Sequence, residues 1–466
     1  MSHSCRRYNL RFTARVYSAA TILLSRAGVD APVANVLLAR FWSILSGPVS
    51  VVLIVAYLTP EEQGYYYTFA SILGLKVLAE FGLSYVILQF AAHEMVDCEW
   101  TNGVLTGSKK RLSRLRDLFT RALRWYYSVA AFIVLVILPG GWLFFSITHE
   151  SDLVNVCAWQ APWIALVAVN ALAVTLVPAF AIIEGCGKVA DVTRNRMYEA
   201  MGMAAFLWIA LVSGAGLYAP AISCLGGLLV SVAWLISSKR HFFATLLASN
   251  SSDRIDWFKE VFPLQWRTAI SWTSGYLAYT MFIPFTFAYK GPDLAGQLGL
   301  TLKMTDIITV ISGAWLQTKA APFGRLAAER SWATLDRIYT AAFRRSLVAY
   351  GVCAFGFICL LYTLRFADPT IAGRFLSSDT VVVLLAMWAM NHVLFARAIY
   401  LRSYKQECFY YIYLGAGIST VAATAVLLPR YGLLYTMMCV CICISLPSMI
   451  LSGVVTKLAR KKLQSA

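Results

Sequence analysis

The sequence predicts an all-α, polytopic membrane protein: about twelve transmembrane helices in two pseudo-symmetric six-helix lobes around a central cavity. Three observations predict it. Of 466 residues, 59% are hydrophobic and only 14% charged, with a mean hydropathy of +0.66; soluble domains run nearer about 45–50% and 25%. Basic residues gather on alternate sides of the apolar runs. A short motif recurs at half the chain length. A soluble monomer this apolar would expose large apolar patches, and disorder requires the opposite composition. Twelve spans of about 20 residues use roughly half the chain and leave no room for a large soluble domain.

Residues 1–34 form a basic, amphipathic segment on the cytosolic side. Arg6, Arg7, Arg11, Arg15 and Arg26 punctuate apolar residues, and the first acid is Asp30. Such a segment reads either as a helix lying on an anionic leaflet or as an organellar transit peptide; the first agrees with the later loops, which are equally basic. No cleavage signal precedes the first span, which is expected to act as an uncleaved anchor. Apolar runs follow at about 35–58, 65–92, 126–147, 155–183, 198–215 and 219–237, giving a first lobe over 35–237. Those at 268–289, 297–318, 346–364, 380–400, 409–428 and 432–455 give a second lobe over 238–466, ending in a basic cytosolic tail.

With the N-terminus inside, 33 of the 40 Lys and Arg residues fall on the inner side. Lys290, Arg365, Arg374 and Arg430 fall outside, and Lys76, Lys303 and Arg397 lie within spans. This is the positive-inside pattern, with an even number of spans and both termini cytosolic. It accounts for the net charge of +17 without nucleic acid. The basic inner loops 93–125, 238–267 and 319–345 are expected to be amphipathic helix. No nucleotide-binding glycine loop is present. The eleven cysteines form no C-x-x-C and the five histidines no ligand spacing, so no metal site and no cofactor is expected.

Pro60-Glu61-Glu62-Gln63-Gly64 precedes the second span and Pro292-Asp293-Leu294-Ala295-Gly296 the eighth, 232 residues apart. Both read Pro-acid-x-x-Gly, a helix start, on the same side of the membrane. The repeat is therefore parallel, about an axis along the membrane normal.

Ionisable groups inside spans cost roughly 2.5–3.5 kcal/mol each and are functional candidates. Lys76 and Glu80 stand at i, i+4 on the second span, Lys303 and Asp306 at i, i+3 on the eighth. Both pairs are expected to line one inter-lobe cavity; the alternative is that each merely neutralises itself within its helix. Arg40 and Arg267 open the first and seventh spans, and Arg397 lies near the inner end of the tenth. These complete the set of candidate cavity residues, with snorkelling to the interface as their simpler reading.

The stretch Leu45-Ser46-Gly47-Pro48, then Leu58 to Tyr67, then Glu80-Phe81-Gly82-Leu83, resembles the N-terminal region of polysaccharide and O-antigen flippases of the multidrug/oligosaccharidyl-lipid/polysaccharide (MOP) exporter superfamily. The resemblance implies a multi-pass protein of the bacterial inner membrane. It would move a polyprenyl-diphosphate-linked oligosaccharide from the cytosolic to the periplasmic leaflet for cell-surface polysaccharide or lipopolysaccharide assembly. Its partners would be that lipid, the bilayer, a coupling proton or sodium ion, and polysaccharide-assembly proteins. Cations at depth suit a diphosphate, which cannot cross hydrocarbon bare; Trp42, Tyr65–Tyr67, Tyr276 and Tyr279 are candidate sugar platforms or interfacial belt residues. No enzyme chemistry is expected, since no nucleophile–base pair is evident. The competing readings are an ion-coupled exporter of drugs or small metabolites, with Glu80 as its acid, and a membrane sugar polymerase or ligase, which the short outer loops disfavour.

Overall fold

A computed structural model describes residues 31–95, 98–101, 104–148, 158–248, 255–262, 265, 266, 269, 273, 276, 280–404 and 408–465. Apart from one small hairpin and short turns, the described residues are helical. α1 (Ala31–Tyr57) leads to Thr59, which caps α2 (Pro60–Leu73). Thr59 Oγ1 accepts from the Glu62 amide at 3.1 Å while the Glu62 carboxylate accepts from the Thr59 amide at 2.8 Å, a reciprocal box completed by Pro60 at the first helical position. A 3-10 turn at Gly74–Lys76 and the single turn α3 (Val77–Glu80) follow. Phe81 and Gly82 then take left-handed backbone angles, φ 51° and 62°, and the chain bends by 44° into α4 (Leu83–Glu94). The bend orphans the Ala79 carbonyl, and the Trp125 indole N–H donates to it at 3.2 Å.

Strands β1 (Cys98–Thr101) and β2 (Val104–Gly107) pair antiparallel, with Trp100 opposite Leu105. Part of the 93–125 loop is thus a hairpin rather than amphipathic helix. Trp100 is the reason it packs: its Nε1 donates to the Cys186 carbonyl at 2.7 Å, and Lys188 and Lys239 sit over its ring. The helical part of that loop opens α5 (Lys109–Phe132), joined through a π segment, Ile133–Ile137, to α6 (Leu138–Thr148). The remaining helices are α7 (Gln160–Val174), α8 (Val177–Gly185), α9 (Val189–Val212), α10 (Ala219–Trp234), α11 (Arg240–Ala248), α12 (Phe282–Lys290), α13 (Pro292–Gln317), α14 (Ala320–Ala328), α15 (Trp332–Ala367), α16 (Pro369–Ala372), α17 (Ser378–Arg402), α18 (Tyr410–Val440) and α19 (Leu446–Ser465).

Seven of these stretches are long and apolar enough to cross a membrane, and the bent α2–α4 pair makes an eighth. The stretch Tyr410–Lys461 is broken at Gly432, with φ 76°, so it supplies two spans. The protein is a multi-pass membrane protein. Ten expected runs fall on described helices; the fourth, 155–183, is described from residue 158, and the seventh, 268–289, continuously only from residue 280.

In the first half, α9 packs on α1 and α10, α7 on α10, and α4 on α8; in the second, α13 packs on α15 and α17, and α17 on α19. The stretch 240–261 packs on the first half: α11 touches β2 and α5, and the Ile255 amide donates to Asp117 Oδ2 at 2.8 Å. Arg114 bridges buried Glu94 at 2.8 Å and Glu260 at 2.6 Å. The halves meet chiefly through α2 against α13, with α12 beside them.

Candidate functional site

The contact between the halves is built from the repeat itself. A Cβ on Gly296 would lie 2.8 Å from the Gly64 amide nitrogen, and one on Gly64 would strike the Pro292 carbonyl. The two Pro-acid-x-x-Gly copies therefore touch backbone to backbone, which glycine alone permits. One turn further, a Cβ on Gly299 would overlap the Tyr67 ring. Gln63 Nε2 donates to the Gly296 carbonyl at 2.8 Å and to the Arg374 carbonyl at 3.2 Å. Arg374 in turn donates to the carbonyls of Val55 (3.2 Å) and Leu58. Ser71 Oγ donates to the Thr280 carbonyl at 2.6 Å, and Tyr276 OH to the Ser71 carbonyl at 2.7 Å. The Pro60/Pro292 end is the sealed end of the seam.

Helix phase decides which charges follow that seam. At about 100° per residue, Lys303, seven residues beyond Gly296, returns to within about 20° of the glycine. Lys303 and Asp306 are both exposed, on or beside the face that closes against α2 higher up. Lys76, twelve residues beyond Gly64, lies at least a third of a turn away from it, and the 3-10 turn adds to the offset. The two lysines therefore do not face one cavity, because they are five residues out of register in the repeat.

Lys76 instead lines a cavity of 460 Å³ inside the first half, between α2–α4, α7, α8, α9 and α10. Its Nζ donates to Asn170 Oδ1 at 3.2 Å, and Asn170 Nδ2 is held by the Leu166 carbonyl at 3.0 Å. An ammonium has three donors, so the lysine keeps capacity for a ligand. Glu184, Arg196 and Glu199 line the same cavity. Glu184 and Arg196 form a 2.7 Å ion pair toward the basic end; Asn170 lies about 20 Å away from Glu184 along α7–α8, counted at 1.5 Å per residue.

Neither expected intrahelical pair forms. Glu80 accepts from Tyr126 OH on α5 at 2.8 Å, and no ion pair links Lys303 to Asp306. Arg397 donates to the Met449 carbonyl and, at 2.7 Å, to Ser452 Oγ. It ties α17 to α19 rather than facing the seam. The side chain of Arg40 and all of Arg267 lie outside the described residues. Tyr65 is fully buried among Phe69, Phe145 and Phe287, and Tyr67 lies against Gly299, so both are packing residues and not sugar platforms.

Sequence reasoning missed Asn170, Glu184, Arg196 and Glu199. Asn170 is uncharged, and the others stand at span ends, where ionisable residues are ordinary. It also missed Gln63 and Arg374; Arg374 was one of only four basic residues expected on its side.

No protein-family model matches the chain, and no curated protein sequence matches it. Solved structures do. One is an inward-facing multidrug resistance MATE-family transporter of the MOP superfamily, with TM-score 0.63 and 13% identity over 91% of this chain and 95% of that one. Another is described as the lipid II flippase MurJ in an inward closed conformation, with TM-score 0.60 and 14% identity over 92% and 91%. A third is a MOP-superfamily transporter from Pyrococcus furiosus with a binding pocket of reversed polarity, with TM-score 0.55 and 13% identity over 94% and 96%. The chain has the fold of these transporters across nearly its whole length.

Proposed function

We propose that the protein is a flippase that moves a lipid-diphosphate-linked oligosaccharide from the cytosolic to the periplasmic leaflet of a bacterial inner membrane. The observation that carries this reading is Lys303, a cation about 10 Å below Gly296 on the stripe where the two halves meet. The basic end is the cytosolic end on this reading, and the sealed Pro60/Pro292 end is periplasmic. An exposed ammonium at depth, on the stripe below the closed glycine contact, suits an anionic head group whose tail stays in lipid. Lys76, Asn170 and the Glu184–Arg196 pair lie in the adjacent internal cavity, where they are placed to bind sugar hydroxyls or a coupling ion. One solved structure of this fold is described as a lipid II flippase, which supports the cargo class.

The competing reading, an ion-coupled exporter of drugs or small metabolites, draws on Glu184 and Glu199 in the same cavity, two acids able to carry a proton or sodium ion. Liposomes holding the purified protein and a labelled lipid-linked oligosaccharide decide between them. The flippase reading expects glycan to reach the opposite leaflet with unchanged mass, and Lys303→Ala to slow it at least tenfold. Transport of cationic dyes with no movement of the glycan lipid would favour the exporter.

A further inference from the structure

A second concavity, of 690 Å³, lies between α13 and α15. Its walls are Ile311 and Trp315 on α13 and Val348, Val352 and Cys353 on α15, and Arg344 and Arg345 stand at one end. The exposed side chains Ala341, Arg344, Arg345, Val348 and Val352 recur at helical spacing, so they form one continuous face of α15. No acid among the described residues pairs with either arginine.

Depth shows what this face is built for. Counting 1.5 Å per residue from Ala367, Arg345 lies about 33 Å from the far end of α15, and Trp315 lies about 34 Å below Pro292. A hydrocarbon layer is about 30 Å thick. The arginines and the indole therefore stand at head-group level on the basic side, and the apolar wall rises from them into that leaflet. Two unpaired cations beneath an apolar channel match one chemistry, a phosphate with a long hydrocarbon chain. The groove also adjoins the seam. Ile311 is eight residues beyond Lys303 on the same helix, about 80° around it.

We propose that this groove is the docking site for the polyprenyl phosphate end of the cargo in the cytosolic leaflet. Arg344 and Arg345 hold the phosphates and the α13–α15 wall holds the first isoprene units. The identity of the occupant rests on the flippase reading; the site itself does not. From here the head group would travel about 18 Å along α13 to reach Lys303, while the tail never leaves lipid. A bulk phospholipid presents the same phosphate and chain, and competition with phosphatidylglycerol separates the two.

The test is photolabelling of the full-length protein in nanodiscs with a diazirine-bearing polyprenyl phosphate, read by peptide mass spectrometry. Label is expected in 311–315 and 341–353, displaced by unlabelled polyprenyl phosphate but not by phosphatidylglycerol. Replacing both arginines, Arg344→Gln with Arg345→Gln, should cut labelling about thirtyfold, since each surface cation contributes roughly 1 kcal/mol to binding an anionic lipid and about 1.4 kcal/mol is tenfold. Val352→Trp, which fills the groove and keeps both charges, should cut it similarly. Label spread evenly over the lipid-facing helices, labelling unchanged in either variant, or equal displacement by phosphatidylglycerol would overturn the proposal. Specific labelling in a protein that fails to move the glycan lipid would leave the groove standing and sink the flippase reading instead.

Discussion

Lys76 and Glu80 stand one turn apart in the sequence yet bond to different helices, Asn170 on α7 and Tyr126 on α5. Their contributions to stability should therefore add. In a double-mutant cycle on Lys76→Ala and Glu80→Ala, followed by thermal unfolding in detergent, the double variant is expected to be less stable than either single one by the sum of their losses; a true intrahelical pair would make the double variant better than either single one. Between them and α4, Phe81 holds a left-handed backbone, φ 51°, which costs an L-residue about 1–2 kcal/mol. Its ring packs edge-on against Trp125 at 6.1 Å, which offsets part of that. Phe81→Val adds a β-branch to a conformation it resists and should lower the melting temperature by several degrees. Phe81→Asn, which tolerates that region, should lower it less. Lys76 and Lys303 were legible in the sequence as in-span ionisable groups, whereas Glu184, Arg196 and Glu199, at span ends, were not. The separate directions of the two lysines follow from their offsets of twelve and seven residues from the motif glycines, widened by the 3-10 turn at Gly74–Lys76, and only that turn is invisible in residue spacing.

Among elements, α2 and α13 do most to join the halves, and the glycines at their starts set how close they come. Gly64→Ala places a methyl group against the Pro292 carbonyl, a backbone atom that cannot step aside. It should force the Pro60/Pro292 end apart, seen as faster labelling of a cysteine placed at position 67 by an impermeant reagent. Gly140→Ala, which meets nothing within 4 Å, is the control and should leave that labelling unchanged. Arg374→Ala should act in the same direction through the lost bonds to Val55 and Leu58. The repeat that suggests two halves also contains this contact, since both motif copies end in glycine. Pro followed by an acid already accounts for a helix start, so the glycine adds no separate signal in the sequence. The hairpin is a second case. Asn102-Gly103 between Thr101 and Val104 is the dipeptide that tight hairpins favour, but it sits in a basic loop whose charge periodicity suggested helix.

For the whole molecule, the apolar runs place the spans closely, because about 20 apolar residues in a row have few alternatives to a bilayer. How the connection between the halves is fastened to the first half at the basic end is not visible in hydropathy. There Arg114 holds Glu94 on α4 and Glu260 in the connection between the halves. Partial burial pushes the Glu260 carboxyl up, but its hydrogen bond and ion pair with Arg114 outweigh this and leave it below the usual glutamate value. A lowered native pKa means that the contact contributes fully above about pH 4.3, the ordinary glutamate value, and is lost as pH falls through the lower native value. Amide exchange in 255–262 should therefore be protected at pH 7 and accelerate in that acid window beyond its intrinsic pH dependence, while Glu260→Gln should exchange faster already at pH 7. The backbone contact between Gly64 and Gly296 has one further consequence, for descent rather than mechanics. Once two duplicated halves meet at the axis through the same residue of each copy, those copies can no longer drift apart independently. A larger side chain at one is tolerable only if the other helix shifts or its own partner recedes. In an alignment of relatives, positions 64 and 296 should vary together and be among the slowest to change, long after the rest of the two halves has ceased to look alike.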